Sequence, residues 1–221
     1  MTHVRGTTEA ATGHASVPST DAEAVARAVR ALRAGGVVLL PTDTVYGLAV
    51  VPGNPDALNR VYALKGRPEE QNLPVIVSGQ AQATSLGVKW TPSAATLAAR
   101  WWPGALTLAL GFGDAPRPGW LAGRDEVAIR CADLAFLLEV TSECGPLLVT
   151  SANAHGAPTP ASAADAASAL AGEVDLVVDG GDLHGAPSTL VNLRREPPVI
   201  ERVGRIAVAE IARVVGDCVT A

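Results

Sequence analysis

The stretch LLPTDTVYG, Leu39–Gly47, changes character at its midpoint. It overlaps the apolar run Val37–Leu40, whose β-branched members predict a buried strand. Polar side chains follow at once, at Thr42, Asp43, Thr44 and Tyr46. Because ligands in open α/β sheets bind beyond the carboxyl ends of strands, the stretch predicts a strand that delivers hydroxyl groups to the mouth of a binding site. Gly47 is expected to let the backbone turn back, and Tyr46 to wall the site or to pack in the core.

Helical and strand-like patterns alternate on both sides of this stretch. Residues 20–23, TDAE, fit a capping box, and Asn54–Pro55 and Thr91–Pro92 begin further helices. Apolar runs predict later strands at Leu106–Leu110, Val127–Arg130, Leu147–Thr150 and Leu190–Leu193. The interleaving predicts an α/β fold with a twisted, open, mixed sheet flanked by helices, and with some antiparallel pairs.

Composition sets the domain organisation. Residues 1–19 are small and polar without a period, which predicts a disordered leader before a single domain at 20–216. The chain has 221 residues, 48% apolar and 18% charged, so a sizeable core is expected. The net charge of −5 disfavours a protein that coats nucleic acid, although a local basic cleft stays open.

The cysteines and the hydropathy predict the compartment. Cys131, Cys144 and Cys218 have no close spacing, so reduced thiols are expected rather than disulfides or a zinc knuckle. The N-terminus lacks an apolar signal core, and no apolar run approaches the roughly 20 residues of a membrane span. The expected location is the cytoplasm, without membrane contact.

Further polar groups lie where strands are predicted to end or begin. Ser151 and Asn153 follow LLVT, Arg130 closes EVAIR, and Ser188 precedes a strand behind a Gly-Ala-Pro turn. Each has an ordinary alternative, because Ser and Asn form turns and Arg130 could be a surface cation. Their coincidence at strand ends favours one shared site.

The segment ALKGRP, residues 63–68, predicts the end of a helix. A helix stop explains Gly66 and Pro68 but does not specify what Lys65 and Arg67 bind. Two cations on one short loop would suit a polyphosphate. The sequence contains no glycine-rich phosphate loop and no nucleophile elbow, and its histidines lack a second ligand at metal spacing. Covalent catalysis and a protein-bound metal are therefore not predicted.

Several of these segments occur together in one known family. In order, they are PTDTVYGL, ALKGRP, RWWPGALTLAL, EVAIR, VTSANAHGAPTP, DGG, GAPSTLVNL and VIERVG. In this order they closely resemble the YrdC/Sua5 family of threonylcarbamoyl-AMP synthases, from about Asp21 to Ile206. The resemblance implies a YrdC-like single domain with a concave site, in the short form without an appended C-terminal domain.

The resemblance also implies an activity. The chain would be a nucleotidyltransferase, an L-threonylcarbamoyladenylate synthase that converts L-threonine, bicarbonate and ATP, with Mg²⁺, into threonylcarbamoyl-AMP and pyrophosphate. A downstream threonylcarbamoyl transferase complex would pass the group to tRNA for N6-threonylcarbamoyladenosine modification, so that tRNA is an indirect partner.

Residue roles follow motif by motif from the same resemblance. Lys65 and Arg67 are implied as the catalytic cations on ATP. The implied threonine contacts are Thr44, Arg130, Ser151 and Ser188. The implied nucleotide contacts are Lys65, Arg67, Asn153 and Arg202. Electrostatic positioning of two anions would then drive the reaction, without a protein nucleophile.

The chain departs from the family pattern at three positions. Many members have a hydroxyl where Ala161 stands, which Thr159 or Ser162 could replace, and an acidic residue where Pro187 stands. Glu126 stands where some members have threonine. These departures bear on individual ATP contacts.

Two other functions stay open. A carbamoyl-adenylate-forming enzyme of the YrdC type would use carbamoyl phosphate, and the absence of an accompanying transferase domain disfavours it. An RNA-binding or ribosome-assembly module would need a broad basic surface, which the net charge of −5 disfavours.

Overall fold

The computed structural model describes residues 16–66 and 72–221. Residues 1–15 of the predicted leader lie outside this part of the chain. Residues 16–18 do not belong to a leader, because Ser16–Pro18 form a strand, β1, with Val17 buried against the sheet. The predicted leader boundary at residue 19 is therefore too late.

Seven α-helices occur in the described residues. They are α1 (Ala24–Arg33), α2 (Pro55–Lys65), α3 (Gln80–Thr84), α4 (Pro92–Trp101), α5 (Ala135–Cys144), α6 (Ala163–Ser168) and α7 (Val208–Val215). Asn54 and Thr91 cap α2 and α4, since their side-chain oxygens accept backbone N–H groups of the first turn. The predicted capping box at residues 20–23 is wrong, because Asp21 Oδ1 accepts the N–H of Glu23 at 2.8 Å and α1 begins only at Ala24.

The strands form one mixed sheet. They are β1, β2 (Val38–Pro41), β3 (Tyr46–Val50), β4 (Val75–Ile76), β5 (Leu106–Gly111), β6 (Glu126–Arg130), β7 (Leu147–Ser151), β8 (Leu176–Asp179), β9 (Thr189–Asn192), β10 (Val199–Arg202) and β11 (Val219–Thr220). Their order is β1-β8-β2-β3-β7-β4-β6-β5-β9-β10-β11, with parallel and antiparallel pairs. The predicted mixed α/β sheet is confirmed.

Helices cover both faces of the sheet, which explains why β2 is apolar without interruption. Val38 and Leu40 belong to the core that includes α1 and α5 on one face, whereas Leu39 belongs to the core that includes α2, α4, α6 and α7 on the other. Successive side chains of a strand point to opposite faces, so a strand buried on both sides needs apolar residues at every position.

The register brings polar residues to one edge of the sheet. The strands β2 and β3 form a hairpin whose connection, residues 42–45, holds the polar cluster. Gly47 of β3 lies opposite Ser151 of β7, and Thr107 of β5 lies opposite Arg130 of β6. Strands that run in opposite directions thus begin and end at the same edge, and their polar residues face a common space.

Gly47 does not act as a turn residue. It lies inside β3, and a Cβ added there would approach Val149 Cγ1 to 2.7 Å and the Thr150 carbonyl oxygen to 3.2 Å. The predicted turn is wrong, and the physical reason for glycine is the close approach of β7.

Candidate active site

A cleft of about 650 Å³ opens at this edge of the sheet. Strands β5, β6, β7 and β10, the hairpin connection and the segment before β9 all contribute side chains to it. Its hydroxyl and guanidinium groups belong to Thr42, Thr44, Tyr46, Thr107, Arg130, Thr150, Ser151, Thr159, Ser188 and Arg202. The sequence predicted a shared site at these strand ends, and five of its eight candidate residues line this cleft: Thr44, Arg130, Ser151, Ser188 and Arg202.

The two threonines of the hairpin connection have different tasks. Thr42 Oγ1 donates to the carbonyl of Val45 at 2.7 Å and accepts the N–H groups of Thr44 and Val45, so it builds the turn. The two hydroxyl oxygens are 3.0 Å apart, and because the only proton of Thr42 is used on the Val45 carbonyl, Thr42 does not donate to Thr44. Thr44 Oγ1 accepts from Arg130, which leaves one lone pair for a ligand donor.

Arg130 is held rigidly in the wall of the cleft. Its Nε donates to the Gly104 carbonyl at 3.0 Å, Nη1 to Thr44 at 2.8 Å, and Nη2 to Asp43 Oδ1 at 2.6 Å. Burial lowers the pKa of the guanidinium, and the Asp43 carboxylate opposes this effect. Three of its five N–H bonds have these acceptors, so two can bind an anion at the cleft.

Asp43 belongs to the support of Arg130. Its side chain is 8% exposed, beside an Arg130 side chain that is 7% exposed. Oδ2 of Asp43 is buried without a hydrogen-bond partner. The carboxylate pairs with a cation 87 residues away, a partner that no local sequence pattern indicates.

Ser188 and Arg202 meet at the other side of the cleft. Arg202 donates through Nε to the Ser188 carbonyl and through Nη2 to Ser188 Oγ, both at 3.0 Å. Although Arg202 as a whole is exposed, partial burial of its guanidinium and then the charge of Arg130 lower its pKa. The effect of Arg130 on the pKa of Arg202 indicates that the two guanidinium groups share one cleft.

Sequence reasoning missed Thr107. This residue is 3% exposed, and its hydroxyl lies 2.7 Å from that of Ser188. It is the second residue of the run LTLAL, where a threonine is an ordinary strand residue. A hydroxyl inside an otherwise apolar strand was the available signal.

Lys65 and Asn153 lie behind the wall of the cleft. Lys65 Nζ donates to the carbonyls of Ser151 and Asn153, the latter at 2.7 Å, and lies 3.2 Å from Asn153 Oδ1. Asn153 in turn donates to the carbonyls of Ala154 and Ala157, at 2.9 and 2.6 Å. Both side chains therefore shape the loop after β7, and neither belongs to the cleft lining.

The remaining predicted residue, Arg67, lies outside the described residues, so its place at the site stays a prediction. Of the two proposed substitutes for a hydroxyl at Ala161, Thr159 lines the cleft, whereas Ser162 caps α6 by accepting the N–H of Asp165. Glu126 is at the far end of β6 from Arg130, where it accepts from Asn192 and Arg194.

Tyr46 both lines the cleft and anchors a neighbouring segment. Its hydroxyl donates to the Gly181 carbonyl at 2.7 Å and accepts the N–H of Gly180 at 2.9 Å. Burial, with the nearby Asp179 charge, raises its pKa to about 12. The phenol is thus neutral at physiological pH, and its hydroxyl fixes the backbone of Gly180 and Gly181 through these two hydrogen bonds.

Cys131 is the cysteine that follows Arg130 in the chain. Burial raises the pKa of the Cys131 thiol to about 11, so that it is protonated and a poor nucleophile at neutral pH. Across residues 16–66 and 72–221, no three His, Cys, Asp or Glu side chains are grouped so as to hold a metal ion.

In the same ranges, every helix falls short of the length and apolar character that crossing a bilayer demands.

The chain is similar to several known proteins. The chain is 39% identical over 205 residues to threonylcarbamoyl-AMP synthase of Bacillus subtilis, covering 90% of this chain and 58% of the relative. The corresponding values for the Pseudomonas putida W619 threonylcarbamoyl-AMP synthase are 33% over 190 residues, 86% and 96%. The structure is similar to that of Pyrococcus abyssi Sua5 complexed with L-threonine, with a TM-score of 0.81, 32% identity, and coverage of 89% and 58%.

The chain therefore spans a little over half the length of the B. subtilis and P. abyssi relatives and nearly all of the P. putida relative. The family model Sua5_yciO_yrdC, described as "Telomere recombination", matches residues 30–204. The match covers most of the chain, including the hairpin connection, the ends of β6 and β7, and the Ser188–Arg202 contact. The protein belongs to the Sua5/YciO/YrdC family.

Proposed function

We propose that this protein is an L-threonylcarbamoyladenylate synthase, which forms threonylcarbamoyl-AMP and pyrophosphate from L-threonine, bicarbonate and ATP. The observation that carries the proposal is Arg130, a buried guanidinium with two uncommitted N–H bonds beside the open lone pair of Thr44. A free amino acid offers the complementary pair, an anionic carboxylate and a donor group. Relatives named threonylcarbamoyl-AMP synthase and a Sua5 structure complexed with L-threonine support this ligand class.

The first step makes a carbamate. The amine of threonine attacks the carbon of bicarbonate, a C–N bond forms and water leaves, which gives an N-carboxylate that hydrolyses readily in solution. Two N–H bonds of Arg130 grip the α-carboxylate, while Thr44, Ser151 and Ser188 bond the remaining polar groups. A held carbamate has a longer time in which to react, because the cleft fixes its orientation and limits its contact with water.

The second step transfers the adenylyl group. A carbamate oxygen attacks the α-phosphorus of ATP, the new C–O–P linkage forms, the bond from the α-phosphorus to the bridging oxygen breaks, and pyrophosphate departs with the electron pair. Arg202 and Arg67 offset the charge of the phosphates. Lys65 adds its charge from behind the wall and fixes the loop of Ser151 and Asn153, so a direct phosphate contact by Lys65 requires exchange of one carbonyl partner.

Mg²⁺ enters this proposal with ATP, as part of the substrate. Phosphate oxygens and water satisfy most of its octahedral coordination in such complexes. The donor set near the cleft does not resemble a protein cage, since Asp43 is already paired with Arg130. The ion neutralises phosphate charge, and the residues of this chain orient the two substrates.

The product defines the partners. A mixed carbamic–phosphoric anhydride is an activated acyl donor, so a transferase must consume it, and we propose the threonylcarbamoyl transfer to tRNA as that next step. Direct contact of this chain with tRNA is not required. The cytoplasmic location predicted from the sequence stays a prediction.

Direct detection of the adenylate tests the proposal. The purified protein is incubated with MgATP, L-threonine and ¹³C-bicarbonate, and the expected product has the mass of threonylcarbamoyl-AMP with one heavy carbon. Omission of threonine or bicarbonate should abolish both the product and pyrophosphate release. A carbamoyl adenylate formed from carbamoyl phosphate would favour the carbamoyl-transfer alternative, and salt-dependent RNA binding without ATP turnover would favour the RNA-binding alternative.

A further inference from the structure

The hydroxyls of Thr107 and Ser188 form a buried pair on the wall of the cleft. Their oxygens are 2.7 Å apart, and the two residues are only 3% exposed. Both also line the cleft. The pair therefore lies at the boundary between the protein interior and the ligand, where a hydroxyl either serves the fold or faces the substrate.

Counting protons shows that the pair has one to spare. Ser188 Oγ already accepts from Arg202 Nη2 at 3.0 Å. The two hydroxyls have two protons, and the contact between them uses one. Whichever hydroxyl donates inside the pair, the other keeps a free proton for an acceptor in the cleft. The pair as a whole thus has one proton available for a ligand oxygen in the cleft.

The register of the sheet fixes where this donor points. Thr107 lies directly opposite Arg130 across the β5–β6 ladder, so the two side chains share one face of the sheet. On its other side, Thr107 pairs with Leu190 of β9, two residues after Ser188. Thr107 is therefore the neighbour of Arg130 in the sheet and the hydrogen-bond partner of Ser188.

We infer that Thr107 is a positioning residue for the amino-acid substrate, which rests on the proposed function. It fixes the Ser188 hydroxyl so that the pair donates one proton to an oxygen of the amino acid or its carbamate, next to the oxygens that Arg130 binds. Because Thr107 acts on the amino acid and not on the phosphates, it sets the affinity for threonine. It leaves the adenylyl transfer step unchanged.

Thr107→Val tests this inference, because valine keeps the shape and β-branching but removes the hydroxyl. Loss of one neutral hydrogen bond predicts a rise of roughly 3- to 10-fold in both the threonine Kd and the threonine KM. The expected kcat and the KM for ATP stay within about twofold of the wild type. Thr107→Ser keeps the hydroxyl and should restore threonine affinity to within about twofold.

Thr141→Val is the matched control. Thr141 is another fully buried threonine, but it lies in α5 and its hydroxyl donates to the Leu137 carbonyl within the same helix. We expect it to lower the melting temperature without changing the threonine Kd. A purely structural role of Thr107 would give the same pattern as this control.

Three results would overturn the inference: an unchanged threonine Kd in Thr107→Val, no recovery in Thr107→Ser, or an equal loss of ATP affinity. Threonine Kd is measured by calorimetry without ATP, so it does not depend on turnover. If the wild type binds threonine but makes no adenylate, the proposed function fails while the Thr107 inference is still decided by the Kd values. If the wild type binds no threonine, both fail.

Discussion

Removal of the Arg130–Asp43 ion pair in two steps separates its role in folding from its role in binding. Arg130→Met deletes three hydrogen bonds and strands the Asp43 carboxylate, whose side chain is 8% exposed and whose Oδ2 already has no hydrogen-bond partner. Loss of one partner of a buried pair costs about 3–5 kcal/mol. At about 2–4 °C per kcal/mol for a domain of this size, the melting temperature should fall by about 6–20 °C.

A second substitution should rescue stability but not binding. In Arg130→Met/Asp43→Asn neither charge of this pair is left, so we expect recovery of about 2 kcal/mol or more of the lost unfolding free energy. The guanidinium that would grip the substrate carboxylate is still absent. A charge-assisted hydrogen bond contributes about 1.5–3 kcal/mol, so the KM for threonine should be raised about 10- to 100-fold in the double variant as well.

Urea unfolding gives the stabilities, and pyrophosphate release at varied threonine gives the KM. Arg100→Met is the control, because Arg100 is an exposed arginine that stacks on Trp101 outside the cleft. It should change neither quantity appreciably. A double variant as unstable as Arg130→Met would refute the stranded-charge argument, and a double variant with normal threonine KM would refute the role of Arg130 in binding.

Three further predictions concern single positions. Burial raises the pKa of Cys131 from 9.0 to about 11, so the folded state holds this proton more tightly than the unfolded state. The contribution of this thiol to the unfolding free energy should be fully present below pH 9 and should fall by about 2 kcal/mol towards pH 11. Urea unfolding of Cys131→Ala should therefore show a smaller loss of stability at alkaline pH than the wild type. Gly47→Ala should cost about 1–3 kcal/mol in unfolding free energy, measured in urea, because its Cβ would meet Val149 at 2.7 Å, and an unchanged midpoint would contradict this account. Thr159→Val should alter the KM for ATP or threonine with little change in melting temperature, because Thr159 lines the cleft. Ser162→Ala should lose about 1 kcal/mol of stability, because it removes the cap of α6, and should keep both KM values. The reverse pattern would show that Ser162, and not Thr159, replaces the hydroxyl that many family members have at position 161.

Local signals predicted the elements well. The runs at β2, β5, β6 and β7 were read from apolar pattern alone, and the Asn-Pro and Thr-Pro pairs placed the starts of α2 and α4. Short or edge elements were missed: β1 and β11 have too few residues for a period, and α3 is a single turn and a half. Their existence depends on a neighbouring strand or helix that supplies the missing contacts.

The site was predicted in outline because several polar groups stood at strand ends. The separate roles of its residues could not be predicted, since Thr42 and Thr44 are chemically alike and only two residues apart. Only the hairpin decides that Thr42 builds the turn and Thr44 meets Arg130. In the same way, only the packing of α2 against the loop after β7 places Lys65 behind the wall.

The sequence by itself determined the buried strands, the helix starts, the polar strand ends and the order of motifs that marks the family. These are properties of neighbouring residues, and short-range sterics and hydrophobic patterning specify them. The tertiary structure alone decided that the hydroxyls of Thr107 and Ser188 meet and that Asp43 pairs with Arg130. It also decided that β7 packs so closely on Gly47 that a side chain would clash there. Each of these contacts joins residues distant in the chain, so it depends on strand order and register, which no local pattern encodes.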